Sequence, residues 1–544
     1  MKFVNVLFVV LLYCTHLSAQ VTLPNNLYFT HIGVEDGLCQ NTVCCILQDH
    51  LGFIWLGTKD GLTRYDGYRL RVFKHDAADP MSIGNNFIRV LYEDADGLIW
   101  IGTNVGVYIY NPETENFRKF DVATERGDVI SREVSSIKCD SSGDLWIGVN
   151  WQGVFRYDRR DESLELYEPV PGDTTSLSSV HVWDLCFDGD GNLWVGSQNG
   201  GLDRYDRETD RFVRHRLKGL SDVSRIVLDK QNQLLLGTMK DGLFSFNPYM
   251  GTCQPLLLDS GHKDLFVRAI FVRNSREVVV GTENGIYIYD CVTRKTRHVN
   301  QELGNPYSLS CKAVYSIYCD KEGALWIGTY FGGVNYLPPS SSLIFDKFYP
   351  IGHSDRLSGK AVREFVRDES GIIWIGTEDQ GLNRFDPVSG KFTHYNSRNS
   401  GLSCDTVHGL CVDGDRLYIG TFFGGFNIMD LKTNEIVALG SQMLPDDSVF
   451  SIFRDHDGRI WVGLTYGLCL FHPEDGSFEL VREIPENLFI YDIYQGDDGI
   501  IYFAAYNRGV ITYNPHTGKW GQVESGDEGL LKHVVSINED SAFH

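Results

Sequence analysis

The sequence predicts an all-β chain: a seven-bladed β-propeller followed by an incomplete second β-propeller, with four antiparallel strands per blade. Three observations predict it. A phrase, Asp-x-x-Gly-x-x-Trp-x-Gly-Thr, recurs about eleven times. Its copies lie roughly 41 to 48 residues apart, the period of propeller blades. Fifty-six glycines but only sixteen prolines among 544 residues suit many short strands joined by tight turns.

The fullest copies run from Asp49 to Asp66, Asp94 to Asn111 and Asp368 to Asp386. The Trp position falls at Trp55, Trp100, Trp146, Trp194, Leu236, Val279, Trp326, Trp374, Tyr418, Trp461 and Tyr502. Each repeat begins with a short apolar strand, such as Val43-Cys44-Cys45-Ile46 or Val314-Tyr315-Ser316-Ile317. Asp-x-x-Gly then makes a hairpin, because Gly tolerates positive φ and Asp bonds the turn backbone. The Ile-Trp-Ile-Gly-Thr piece is β-branched and aromatic, as a strand prefers. A Gly-bearing loop leads to a third strand such as Leu202–Tyr205, and Phe212–His215 alternates as a fourth. The Trp is expected between neighbouring blades, with the Gly after it leaving room for close approach. An aspartate in the same place in every blade is a turn residue, not half of a catalytic pair.

Seven repeats run from Thr30 to about Leu337, where Pro338-Pro339 interrupts pairing. The expected divisions are residues 1–19, 20–342 for the first propeller and 343–544 for a partial second one of about four and a half blades. Leu27–Ile32 reads as a fourth strand with no blade before it, so it is expected to complete blade seven. Val534–Ile537 reads as a twelfth first strand. A propeller must close or expose its edges, so the chain reads as the front part of a longer protein.

A net charge of −23 argues against general binding to nucleic acid or an anionic membrane face. Lys2, the apolar run Phe3–Leu12 and Leu17-Ser18-Ala19 read as an export signal cleaved after Ala19. No later stretch reads as a membrane span. Cys45, Cys139, Cys186, Cys319 and Cys411 recur in the first strand and read as small buried residues. No Cys-x-x-Cys pair or matching His spacing is present, so no metal site is expected. No nucleophile elbow, His-Glu-x-x-His or phosphate loop appears, so no catalytic residue and no cofactor is assigned.

The repeat Asp-x-x-Gly-x-x-Trp-Ile-Gly-Thr-x-x-Gly-Leu-x-Arg-Tyr-Asp resembles the two-component regulator propeller repeat. The stretch from Phe29 through Gly37-Leu38 to Leu62 is similar to the start of the periplasmic sensor of hybrid two-component systems, as is Gly328–Tyr336. The resemblance covers nearly all of the chain after the export signal. It implies two seven-bladed propellers, then an immunoglobulin-like domain, a membrane helix, a histidine kinase, a receiver and a DNA-binding domain. On that resemblance this chain is an exported, periplasmic sensing region, not itself an enzyme. The kinase lies outside it, and the parent is a homodimer anchored in the inner membrane.

Loops on a rigid scaffold carry function. The residue after the first-strand Val or Ile is Cys44, Arg89, Ser135, Trp183, Ser224, Arg268 and Tyr315 in the seven blades. Period-two alternation turns it toward the channel when the Val or Ile packs between blades. Arg forks suit carboxylates and sulfates, and aromatic faces stack on sugars. The candidate ligand residues are therefore Arg89, Trp183, Arg268 and Tyr315. Nearby loops add Asn150, Trp151, Gln198, Asn199, Tyr330 and Phe331. The matching slot of the second propeller holds Arg363, His408, Phe450 and Tyr491. The expected partner is an oligosaccharide or other small glycan-derived ligand. A secreted propeller lyase is the alternative, with Arg268 and Tyr315 on adjacent blades as its carboxylate-neutralising group and base. A purely structural interaction propeller is a third reading.

Overall fold

The recurrent aspartate does two jobs in each hairpin. In the first blade, Asp49 Oδ1 accepts the Phe53 amide at 2.9 Å and Oδ2 accepts the Trp55 indole N–H at 2.7 Å. Gly52 completes the turn at φ 96°, a region L side chains rarely adopt. The same indole-to-carboxylate bond joins Trp100 to Asp94, Trp146 to Asp140, Trp194 to Asp188 and Trp326 to Asp320. Turn chemistry and inter-blade packing are thus tied to one side chain.

The molecule, a computed structural model, is described over residues 22–24, 26–217, 220, 222–256, 265–339, 347–348, 356–439, 444–484, 488–523 and 533–539. The export-signal residues lie outside these. Among the described residues every sheet is four-stranded and antiparallel. The chain forms two compact units, residues 1–346 and 347–544.

The first unit holds seven sheets. Their inner strands are Val43–Gln48, Ile88–Glu93, Val134–Cys139, Val182–Phe187, Arg225–Leu228, Val267–Val272 and Val314–Cys319. Each touches the next, and the seventh returns to the first, so the ring is closed. Blade seven has only three strands from its own stretch of chain. Its fourth is Thr30–Ile32, which pairs antiparallel with Val334–Leu337 in the register Thr30 to Tyr336. Phe29, buried beside it, donates its amide to the Tyr307 carbonyl. The first and last parts of the ring are therefore held in one sheet, as the unpaired N-terminal strand predicts.

Blades lock by a Val or Ile meeting a glycine. A Cβ at Gly57 would lie 2.7 Å from Ile88, and one at Gly102 2.7 Å from Val134. Val43, Ile88, Val134, Val182, Val223, Val267 and Val314 are all buried. Trp55, Trp100, Trp146, Trp194 and Trp326 are at most 4% exposed, as expected of inter-blade side chains.

Two expectations need correction. The Trp position of blade five is Leu235, not Leu236. Leu235 pairs with Ser245 and Val227, as Trp194 pairs with Arg204 and Cys186, with Gly237 standing where Gly196 stands. The motif spacing agrees, since Leu235 lies six residues after Asp229 and two before Gly237, as Trp194 does after Asp188 and before Gly196. The first-strand cysteines are half-buried, and only Cys411 among the five is buried. All twelve described cysteines are unpaired.

The second unit holds four sheets, with inner strands Val362–Arg367, Val407–Asp413, Val449–Arg454 and Ile490–Gln495. Val407, Val449 and Ile490 are fully buried, whereas Val362 is 45% exposed. Residues 533–539 do not form the expected strand; only His533 makes an isolated bridge, to Tyr506. They still lie along the last inner strand. Ile537 donates its amide to Asp492 Oδ2 at 2.9 Å, as Ile226 does to Asp184 at 3.1 Å between blades four and five.

Candidate functional site

The first unit's channel is where side chains from all seven blades converge. In six blades the residue after the Val or Ile is skipped by the strand register: Cys44, Arg89, Ser135, Trp183, Arg268 and Tyr315. Each is the extra residue of a β-bulge, which re-aims a side chain away from the ladder. The predicted projection is correct, but simple alternation is not its cause. Blade five differs. Ser224 is buried, with its hydroxyl on the Val267 carbonyl at 2.9 Å, and Arg225 takes the channel place instead.

Together these residues enclose a cavity of about 110 Å³ lined by Cys44, Arg89, Ser135, Trp183, Arg225, Arg268 and Tyr315, with Glu133. That is smaller than the roughly 300–1,000 Å³ of typical small-molecule pockets. It suits one small polar group, not a whole sugar.

The cavity is cationic and only partly neutralised. Arg89 pairs with Glu133 and lies 5.0 Å from the Phe87 ring centre. Arg268 pairs with Glu283 at 2.5 Å and lies over the rings of Phe266 at 3.9 Å and Tyr315 at 4.5 Å. Arg225 is held by main-chain oxygens: Nε donates to Arg268 O at 2.7 Å and Nη1 to Ser224 O at 2.8 Å. Burial lowers the Arg225 pKa; Asp184 opposes this and Arg268 adds to it. Burial likewise lowers that of Arg89. Both shifts mean an anion entering here would be stabilised. The Trp183 Nε1–H is buried with no acceptor among the described residues, a state that costs roughly 1–3 kcal/mol. Burial raises the Cys44 thiol pKa, and the nearby Arg89 and Lys59 pull it back.

The loop candidates sit around this mouth unevenly. The Tyr330 ring lies 5.0 Å from Tyr315 and 4.3 Å from Phe331, and its hydroxyl accepts from Lys59 at 3.1 Å. Phe331 and Trp151 are 70% and 67% exposed. Trp151, at φ 69°, sits edge-on to His181 at 4.1 Å, and Asn150 Oδ1 bonds the same imidazole at 3.2 Å. None of these four loop candidates lines the cavity itself. Asn199 also lies outside it: exposed, at φ 60°, its amide donating to Asp222. Sequence reasoning missed Arg225, Glu133, Glu283, Lys59 and Phe266. The only signal for Arg225 was its adjacency to the slot.

In the second unit, Arg363 and His408 both reach Glu378 at 3.1 Å. His408 meets Phe450 at 4.5 Å, and Phe450 lies 5.6 Å from Tyr491. Among the described residues no cluster of His, Cys, Asp and Glu could hold a metal, and no helix is long and apolar enough to cross a membrane.

Five stretches match the family described as Two component regulator propeller: residues 37–60, 82–105, 176–199, 308–331 and 443–466. The chain carries the two component regulator propeller repeat. Each matched repeat runs from the segment before an inner strand, through the Asp turn, to the loop after the second strand. A 59-residue stretch is 37% identical to histidine kinase P4 of Formosa agariphila, taking in 11% of this chain but only 4% of that relative. The fold is similar to a crystal structure of the extracellular domain assigned to hybrid two component system BT3049 of B. thetaiotaomicron. The TM-score is 0.61 at 22% identity, over 95% of this chain and 81% of that one. The extracellular domain of BT4673 from the same organism gives 0.51 at 20% identity, over 92% and 74%. The matched repeats fall in blades one, two, four and seven of the first unit and in the third blade of the second.

Proposed function

We propose that this chain is the ligand-sensing region of an exported hybrid two-component receptor. In this reading the first unit's channel takes an acidic group of a glycan-derived ligand, and occupancy is passed to a kinase outside the chain. One observation carries the reading: Arg225, whose hydrogen bonds among the described residues go to main-chain oxygens, and the buried Trp183 N–H, without an acceptor among those residues, line one small cationic cavity. A carboxylate or sulfate supplies the charge and the acceptor that both lack. The cavity admits that group only. The sugar rings would rest outside, on Tyr330, Phe331 and Trp151. The similar solved structures are extracellular domains assigned to hybrid two component systems, which supports the sensing role. The parent receptor is proposed to act as a homodimer.

The lyase reading has less support. A tyrosine base needs a lowered pKa at neutral pH, but burial raises that of Tyr315.

Calorimetry against paired acidic and neutral glycan fragments tests the proposal. The acidic member should bind more tightly, and Arg268→Ala should weaken it about tenfold or more without unfolding the ring. Equal affinity for both members, or an unchanged Arg268→Ala, would overturn the acidic-group reading.

A further inference from the structure

The first unit carries its channel charge at two depths. The inner tier is the cavity ring. A second tier stands at its mouth, built from the residue that follows the second strand in five of the blades. Lys59, Asn150, Gln198, Glu283 and Tyr330 each donate their amide to the carbonyl just before the buried Val of their own inner strand, at 2.8 to 3.3 Å. Two of them reach down to the ring: Glu283 to Arg268, and Tyr330 to Tyr315.

Most of the charge in these tiers is matched. Arg89 pairs with Glu133, and Arg268 with Glu283. Asp60, next to Lys59, is taken by Lys74 at 2.5 Å and by Asn86 at 3.1 Å. Asp184 accepts the Ser136 hydroxyl at 2.9 Å and the Ile226 amide at 3.1 Å. Two cations are left with no carboxylate partner among the described residues. Arg225 is the inner one, on main-chain oxygens. Lys59 is the outer one. It is half-buried, its ammonium lies 4.2 Å from the Tyr330 ring centre, and it donates to the Tyr330 hydroxyl at 3.1 Å.

The two depths share a wall. The Phe87 ring lies 5.8 Å from Lys59 and 5.0 Å from Arg89. The field of Lys59 also reaches inward: burial raises the Cys44 thiol pKa, and Arg89 and then Lys59 lower it. Rings around an ammonium keep part of the water away, so an anion meeting it there is less screened than on open surface.

We propose that the ligand carries two acidic groups, one in the cavity with Arg225 and the Trp183 N–H, and a second at the mouth on Lys59. The ligand class is then a doubly acidic oligosaccharide. This rests on the acidic-group reading of the channel given above.

Two disaccharide series are the probes, each with two, one and no charges. One is digalacturonate with its monomethyl and dimethyl esters. The other is disulfated lactose with singly sulfated lactose and lactose. They separate carboxylate from sulfate as the source of the charge. In the series that binds, calorimetry should show each added charge tightening binding about tenfold. Lys59→Met, which keeps the stem over Tyr330, should weaken the doubly charged probe about tenfold and the singly charged one much less. That retained binding also shows the variant to be folded. Lys59→Arg should keep the preference for two charges, and Arg268→Ala should weaken both charged probes. Equal affinity for doubly and singly charged probes, an unchanged Lys59→Met, or a Lys59→Met that weakens both alike overturns the second acid and leaves the acidic-group reading standing. Charged probes that bind no tighter than uncharged ones in both series overturn the two together.

Discussion

The Trp55 indole N–H and the Asp49 carboxylate meet at 2.7 Å, and the other oxygen of that carboxylate holds the Phe53 amide at 2.9 Å. One side chain thus closes its own hairpin and holds the indole that packs against Tyr110 of the neighbouring blade. Trp55→Ala should cost roughly 3 to 5 kcal/mol, as large core truncations do. Trp55→Phe should cost about 1–3 kcal/mol, because it keeps ring bulk but leaves a buried carboxylate oxygen unpaired. Urea unfolding of both variants measures the split. A negligible cost for Trp55→Phe would show that the hydrogen bond contributes nothing, and equal costs that the ring bulk does not.

Asp203 provides a pH test. It is fully buried, and Ser178 donates both its amide and its hydroxyl to Oδ2, while Oδ1 has no partner among the described residues. Burial pushes its pKa up from 3.8 to about 6, with the Ser178 bonds opposing. The folded state therefore holds this proton between about pH 4 and 6, where the unfolded chain has released it. The resulting stability is present below about pH 4 and lost as pH rises through about 6, amounting to roughly 3 kcal/mol. Equivalent blade positions carry Asn335 and Asn427, whose Nδ2 atoms lie 3.4 and 3.3 Å from the Ile327 and Ile419 carbonyls. Asp203→Asn should therefore stabilise the protein at pH 7.5 and flatten that part of the pH profile.

Ring closure rests on the N-terminal strand. Phe29→Ala should cost roughly 3 to 5 kcal/mol. Hydrogen exchange should then rise first in Thr30–Ile32 and Val334–Leu337, since each loses its sheet neighbour when the other detaches. Faster exchange spread evenly over all seven blades would argue against a local latch.

Val362 and Val407 hold the same place in adjacent blades, but one is 45% exposed and the other buried. Val407→Ala should cost about 1.5–3 kcal/mol. Val362→Ala should stay within about 0.5 kcal/mol, like other surface changes. A comparable cost at Val362 would mean that its strand is covered in solution.

Much of this molecule was readable from residues alone. The hairpins, the four strands of a blade, the buried Trp series and the latch by Thr30–Ile32 follow from local chemistry repeated at a fixed period. The channel residues Arg89, Trp183, Arg268 and Tyr315 also came from that arithmetic. Blade five is the exception. The expected Leu236 is one residue off: the spacing from Asp229 and to Gly237-Thr238 itself selects Leu235, and the pairing with Ser245 agrees. Nothing in Ser224-Arg225 says which of the two faces the channel.

Turn chemistry and period are properties of a few adjacent residues, so the sequence by itself determined the repeat, the fold class and the need for a closing strand. A cavity is what remains after side chains from distant segments have been packed together. Tertiary structure alone therefore decided that the channel admits only a small group and that Arg225, not Ser224, faces it.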